Sequence, residues 1–472
     1  MIACSRRQMI AGASAAAVTA AFSGGPRRAV AADAPSVLRA TTRILDIKGQ
    51  PATVLGLLRE NGNQGVVLEP GERFALRLRN DLTEPTIIHW HGQIPPVVQD
   101  GVANLPLPLL RAGEARDFNY APYPGTHWMH AHVPDQEMRQ LSAPLIVRTE
   151  EDARADRQEV VILLRDFSFT PLAELLVRLA EPESVPAASP PAGMAGMPMT
   201  AMPMDLNDID FDAYLTNDRT LDDPEIVRVA PGGQVLLRVI NAAAATVFRI
   251  HTGAIEGTLV AVDGQPIVPV SGQGFALAMG QRADLLLRIP AAGGVFPVLA
   301  LREGAQEQTG LILATAGAVI RRLPTIGTED AAPYQSAQEA ALSALRPLPA
   351  KRVDRRLEAM LAGTMQPYVW SIDGRPWGRH LPMVTKQGER VEIAISNPTM
   401  MAHPMHLHGH HFQVVEVDGR RIAGPVRDTV QVPAMGRITI AFDAGEPVRW
   451  VFHCHHMPHL AAGMMTELAV GA

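Results

Sequence analysis

The sequence predicts an all-β protein built from three β-sandwich domains. Three observations carry that expectation. The first is a strand pattern that occurs three times: Pro70-Gly71-Glu72-Arg73-Phe74-Ala75-Leu76-Arg77-Leu78-Arg79-Asn80, then Pro231 to Asn241, then Gln387 to Asn397. Each copy runs nine residues from its turn glycine (Gly71, Gly232, Gly388) to the asparagine, and the copies start 161 and 156 residues apart. The second is another glycine-led strand 42, 48 and 48 residues further on, at Gly113, Gly280 and Gly436. The third is composition: 39 glycines and 39 prolines in 472 residues suit short strands joined by many turns. Alternating apolar residues mark strands with one buried face. A repeat this long exceeds any solenoid unit and fits a duplicated domain.

Taken in chain order, residues 1–31 form the first unit. Cys4-Ser5-Arg6-Arg7-Gln8 precedes a weakly apolar stretch that ends at Phe22, and Ala29-Val30-Ala31 follows. This resembles a twin-arginine export signal, read by the export machinery and then removed. Such signals carry folded proteins, often with a cofactor aboard, and imply a periplasmic or otherwise exported protein. The first sandwich is expected over 32–150 and the second over 157–318. An insert rich in Pro, Ala and Met interrupts the second at 183–205. Residues 328–345 read as a short helix in the link, before Pro347. The third sandwich is expected over 345–472. No apolar run long enough to span a membrane lies beyond the N-terminus. A net charge of −6 argues against a nucleic-acid partner.

Of the two cysteines, Cys4 leaves with the signal, so Cys454 stands alone and no internal disulfide forms. A lone cysteine in an oxidising compartment is an inert thiol, a nucleophile or a metal ligand. Its neighbours are informative. Most of the 16 histidines fall in four clusters: His89-Trp90-His91, His127-Trp128-Met129-His130-Ala131-His132, His403-Pro404-Met405-His406-Leu407-His408, and His453-Cys454-His455-His456-Met457-Pro458-His459. His-x-His on a strand sets both imidazoles on one face, about 7 Å apart. The repeat register aligns the pairs. His89 and His406 lie nine residues after Asn80 and Asn397, and His91 and His408 lie eleven after them. The second domain has Ile250 and Thr252 at those places, so it holds no such site.

Eight imidazoles buried without partners would cost several kcal/mol in lost hydration. Neutral imidazole suits Zn, Cu, Fe and Ni. Eight ligands exceed the capacity of one ion, so a multinuclear cluster between the first and third domains is implied. His403, Cys454, His459 and Met464 add a His₂Cys set with a thioether, the arrangement of a blue copper centre. A zinc site would favour more thiolates and no methionine. A Cys–His hydrolase would place one histidine by the thiol rather than four.

These four motifs, in this order, resemble those of the multicopper oxidases. The resemblance covers nearly the whole chain after the signal and implies three cupredoxin-like Greek-key β-sandwich domains and four copper ions. By motif position, His403, Cys454 and His459 would hold type 1 copper, with Met464 axial. His89 and His406 would hold type 2 copper. His91, His130, His132, His408, His453 and His455 would hold the type 3 pair. Cys454, between His453 and His455, would carry electrons to the cluster, where O₂ is reduced to water. Asp100 stands where this family often has an acid near the oxygen cluster. Leu460 stands where some bacterial members carry a second acid.

His127, His410, His411 and His456 are expected to pack beside ligands, while His251 and His380 match no motif. Met194, Met197, Met199, Met202 and Met204 could gather Cu(I) or form a plain loop. The plain loop is favoured because the insert belongs to the second domain and electrons enter at the third. Met400 and Met401 are expected to pack. The leading reading is a monomeric, laccase-like oxidase of phenols or aromatic amines. A metallo-oxidase of Cu(I) or Mn(II) and a copper-free exported scaffold are the alternatives, and the complete ligand set argues against the scaffold.

Overall fold

In each third of the chain the recurring strand lies inside a sheet, between the same two kinds of neighbour. The computed structural model describes residues 35–181 and 206–472. The expected export signal and the methionine-rich insert lie outside the described residues. Phe74–Asn80 runs parallel to Ser36–Ile47 and antiparallel to Ala115–Tyr120. Gln234–Asn241 likewise runs parallel to Gln158–Phe167 and antiparallel to Arg282–Arg288. Arg390–Ser396 runs parallel to Arg355–Met365 and antiparallel to Arg437–Asp443.

The repeated residues have the same structural work in each copy. The turn glycines Gly71, Gly232 and Gly388 adopt φ of 81°, 74° and 78°, where a side chain would be strained. The asparagines close the loop that follows the strand. The Asn80 side chain accepts from the Leu82 N–H and donates to the carbonyls of Glu84 and Leu110. Asn241 accepts from Ala243 and donates to Thr246 and Leu277. Asn397 accepts from Thr399 and donates to Met401 and Pro433. Each amide satisfies buried backbone groups that would otherwise be left unpaired.

A second sheet faces the first in every third. In the first it is Val66–Leu68, Ser142–Val147, Gly125–Ala131 and Ile88–His91 in spatial order. Phe74, Leu76 and Leu78 of one sheet and Ile88, Trp90, Met129 and Leu145 of the other share one core. In the last third the facing sheet is Met383–Lys386, Met465–Gly471, Arg449–Cys454, His403–Leu407 and Thr429–Val432. This two-layer arrangement follows from strands with a single apolar face.

The five α-helices among the described residues are short: α1 (Pro134–Met138), α2 (Glu150–Arg154), α3 (Leu172–Ala180), α4 (Ser336–Ala341) and α5 (Met457–Ala461). The helix expected over 328–345 is confined to α4, because Leu342 returns to extended backbone at ψ 148°. Glu339 of α4 is fully buried and binds Arg427 at 2.8 Å, so the link is fastened by an ion pair. Among the described residues no helix is long and apolar enough to cross a membrane.

Candidate metal centres

The histidine pairs sit where strands end. His89 and His130 face each other across Ile88–His91 and Gly125–Ala131, and His406 and His453 do so across His403–Leu407 and Arg449–Cys454. His132, His408 and His455 come just past their strands. Ring centroids within a pair are 4.7–6.3 Å apart, closer than regular strand spacing predicts, because the chain turns there. Gly92 and Gly409 make two of those turns at φ 87° and 67°.

The two halves of the cluster are related by an approximate two-fold. His91 stacks on His406, and His89 lies against His408 at a 31° tilt, each with centroids 3.8 Å apart. Two aspartates repeat the relation. The carbonyl of Asp100 accepts from His89 Nδ1 at 2.9 Å, and its carboxylate accepts from His408 Nδ1 at 2.8 Å. The carbonyl of Asp428 accepts from His406 Nδ1 at 2.9 Å, and its carboxylate accepts from His91 Nε2 at 3.0 Å. Each aspartate thus holds one histidine from its own sandwich and one from the other. Asp428 was missed in the sequence because it lies 22 residues after His406, whereas Asp100 lies 11 after His89. Arg282, from the second sandwich, pairs with Asp428 at 2.7 Å and is wholly buried.

Those hydrogen bonds fix the tautomers and test the fit to metal. His89 and His406 each spend their only N–H on a carbonyl, so both Nε2 atoms present lone pairs, and they face each other at 3.4 Å. His453 Nδ1 donates to the Cys454 carbonyl and His408 Nδ1 to Asp100, so their Nε2 lone pairs face each other at 3.1 Å, and His132 Nε2 lies 3.4 Å from the same His453 nitrogen. Opposed lone pairs repel unless a cation lies between them. His91 Nδ1, His130 Nε2 and His455 Nε2 are buried without a partner, and their rings lie 5.0–5.6 Å apart. Burial, reinforced by neighbouring imidazoles, pushes His91, His130, His132, His406, His408 and His455 well below the usual histidine range. Burial brings His453 down to about 4. Neutral rings are the metal-binding form.

The second centre is in the third sandwich. His403 Nδ1 and His459 Nδ1 are 3.1 Å apart, and Cys454 Sγ is 3.8 Å from each. All three residues are fully buried. His403 Nε2 lies 2.9 Å from Thr399 Oγ1, and His459 Nε2 lies 3.1 Å from Asp208 Oδ2, so both Nδ1 atoms are free to bind. Burial pushes the Cys454 thiol up, so a thiolate there requires a cation beside it. Met464 is buried in the same core, and its carbonyl accepts from the Cys454 N–H at 3.1 Å. Met465 points into a different cluster with Val102 and Val451.

His410 is satisfied by the His408 carbonyl and the Gly445 N–H. His411 Nε2 meets the Gly92 carbonyl at 2.8 Å. His456 stacks on His459 with centroids 3.8 Å apart. His127 is fully buried with neither ring nitrogen partnered. His251 lies on Phe248–His251, and His380 stacks on Trp377. Met401 is packed in the third core.

Two further acids at the centres were not anticipated. Asp208 reaches His459 from the second sandwich and also accepts from the Tyr368 hydroxyl. No local signal marks it, since the contact spans 251 residues. Glu137, on α1, accepts from His130 Nδ1 at 2.7 Å. The insert itself lies outside the described residues, but both of its flanks are placed. Leu176 and Leu179 of α3, on one flank of the insert, pack on the core that contains Cys454, and Asp208, on the other flank, touches His459.

Residues 47–152, 189–319 and 353–472 each match the multicopper oxidase family. The chain is 32% identical over 417 residues to Multicopper oxidase MmcO of Mycobacterium tuberculosis, covering 84% of this chain and 79% of that protein. It is 24% identical over 539 residues to Copper resistance protein A of Escherichia coli, covering 87% and 88%. Its fold is similar to that of Fet3p, described as a multicopper oxidase that functions in iron import, with a TM-score of 0.75 at 17% identity over 92% of this chain and 90% of that one. The laccase from Botrytis aclada is similar at TM-score 0.74 and 21% identity, over 92% and 87%.

Proposed function

The chain belongs to the multicopper oxidase family, oxidoreductases that use O₂, and on that premise we propose how its residues divide the copper and which reductant they serve. Its cofactor is copper, as one type 1, one type 2 and two type 3 ions. Bound copper supplies one-electron acceptance at the Cys454 centre and four-electron reduction of O₂ to two waters at the histidine cluster. We assign His403, Cys454, His459 and Met464 to type 1. His89 and His406, with lone pairs opposed at 3.4 Å, are assigned to type 2. One type 3 ion falls to His132, His408 and His453, the other to His91, His130 and His455. The sandwiches that carry them are assigned to 32–150 and 345–472, with 157–318 between them. Asp100 and Asp428 keep the cluster imidazoles oriented. The backbone from Cys454 to His453 and His455 joins the two centres covalently.

The reductant is a small cation of the Cu(I) type rather than a phenol. The observation that carries this is Asp208. His459 offers no face to a phenol, since it is fully buried, His456 and Trp370 already lie against its ring, and its Nε2 is held by a buried carboxylate. By its charge a carboxylate at that point favours a metal cation over a neutral phenol, although carboxylate alone suits Mn(II) better than Cu(I). The chain between the two flanks at this site also carries five methionines, thioethers that favour Cu(I). The experiment is oxygen uptake by the copper-loaded protein with Cu(I), a phenol and Mn(II) side by side. Cu(I) should be fastest, and faster phenol turnover would restore the laccase-like reading. Export by the twin-arginine machinery is part of the proposal, supported by Arg6-Arg7 and the Ala29-Val30-Ala31 site. Monomeric action is proposed as well.

A further inference from the structure

The approximate two-fold of the histidine cluster extends to the helices beside it. His130 and His453 correspond, since each directs Nδ1 at the carbonyl of the residue that follows. Helix α1 begins four residues after His130, and α5 begins four after His453. The two helices pack together through Met138, Met457 and Leu460. Position seven after each histidine is therefore equivalent in the two halves. One half has Leu460 there and the other has Glu137.

Glu137 is 4% exposed and turned inward. Its Oε2 accepts from His130 Nδ1 at 2.7 Å, an N–H shared with the Ala131 carbonyl at 3.1 Å. Its Oε1 has no hydrogen-bond partner and lies 3.7 Å from His455 Nδ1, which also has none. Two unsatisfied buried groups that face each other across a gap this small complete one bond with a slight rotation of either side chain. His130 comes from the first sandwich and His455 from the third. No other carboxylate touches these two rings among the described residues, since Asp100 and Asp428 serve the other four held by acids.

We propose that Glu137 is a positioning residue that orients His130 and His455 together, and so fixes one type 3 copper at the seam between the first and third domains. Resting on the ligand assignment above, this gives the cluster three carboxylates: two related by the two-fold and one that breaks it. By holding a proton on each Nδ1, Glu137 directs both Nε2 lone pairs at the same ion. The two type 3 ions are then unequal, because the set His132, His408 and His453 has Leu460 where its partner set has the acid.

The test uses full-length, copper-loaded protein and its Glu137→Gln variant. Copper per chain, release to a chelator and the electron paramagnetic resonance of the type 3 pair are measured. An amide can accept from only one of the two imidazoles. Release of one ion should be about 10–100-fold easier, and the pair should lose its magnetic coupling, while the blue band of the Cys454 centre stays unchanged. Release and coupling identical to the parent would overturn the proposal. Should Glu137→Gln also lose the blue band, Glu137→Asp, which keeps the carboxylate, must recover both the band and part of the retention. If it does not, the role is general packing and the proposal fails. Failure of the copper assignment itself would show differently, as a parent protein without four coppers or without blue colour.

Discussion

Replacing Asp208 with Asn separates a cationic reductant from a phenolic one. The side chain is isosteric, fully buried, and stays within reach of His459 Nε2, now 3.1 Å from its partner oxygen. What changes is one negative charge, roughly 7 Å from the ion that the opposite ring nitrogen would bind. At an effective dielectric constant near 20, such a charge favours the oxidised ion over the reduced one by about 2 kcal/mol. For a one-electron couple this is about 100 mV, so the type 1 potential should rise by up to that amount in Asp208→Asn. A higher potential speeds outer-sphere oxidation of phenols. Cu(I) loses the carboxylate that draws it in, so its turnover should fall. Redox titration of the blue band and paired oxygen-uptake assays read the two effects. An unchanged potential would mean that the carboxylate does not act on this centre. A raised potential with Cu(I) turnover also raised would refute Asp208 as a cation contact.

Three further outcomes follow from other parts of the molecule. Cys454→Ser should abolish the blue colour while metal analysis still finds the ions of the histidine cluster, whose eight imidazoles are untouched. Asp428→Asn breaks the fully buried pair with Arg282 and should cost about 3–5 kcal/mol in chemical denaturation of the metal-free protein. It also loosens His91, so copper retention should drop with it. Glu303 gives a pH signature. Burial raises its carboxyl to about 7 from an ordinary 4.5, so the folded chain binds a proton that the unfolded chain has released. Stability should therefore fall as pH rises from about 4.5 to 7, by up to ~3 kcal/mol, and Glu303→Gln should flatten that slope in denaturant titrations.

The histidine pairs that the structure brings together were legible because strands of a duplicated domain inherit the register of the duplication. Asn80 and Asn397 close equivalent loops, so histidines at equal offsets from them land at equivalent strand ends. The same register held the clue to Glu137, seven residues after His130, but an acid in Pro134-Asp135-Gln136-Glu137 reads equally well as an ordinary helix-start charge. Asp428 escaped because the strand and turn between His406 and it are longer than their counterpart between His89 and Asp100. Asp208 had no signal at all. It acts on a residue 251 positions away, across a contact that depends on how the second and third sandwiches pack. The helix in the link was overextended because Ala-rich composition favours helix, while the buried Glu339–Arg427 pair and the bridge from Ala344 to Ile267 hold the following residues extended.

The second sandwich shows what a domain without ligands contributes to a site between its neighbours. It carries Ile250 and Thr252 where the others carry histidine, yet it supplies Arg282 to Asp428 and Asp208 to His459. It also binds the first sandwich, through Asp284 to Thr126 at 2.6 Å and Asp218 to Arg43 at 2.6 Å. A cluster whose imidazoles present opposed lone pairs pushes its two halves apart until metal arrives. Without metal, something must hold the first and third sandwiches in register against that repulsion. Buried ion pairs suit the task, because their geometry is specific and a slipped register leaves a charge unpaired at a cost of several kcal/mol. Arg282 meets that requirement most directly. It donates to the Thr126 carbonyl of the first sandwich and to Asp428 of the third, so one guanidinium from the middle sandwich spans the seam at which the histidine cluster lies.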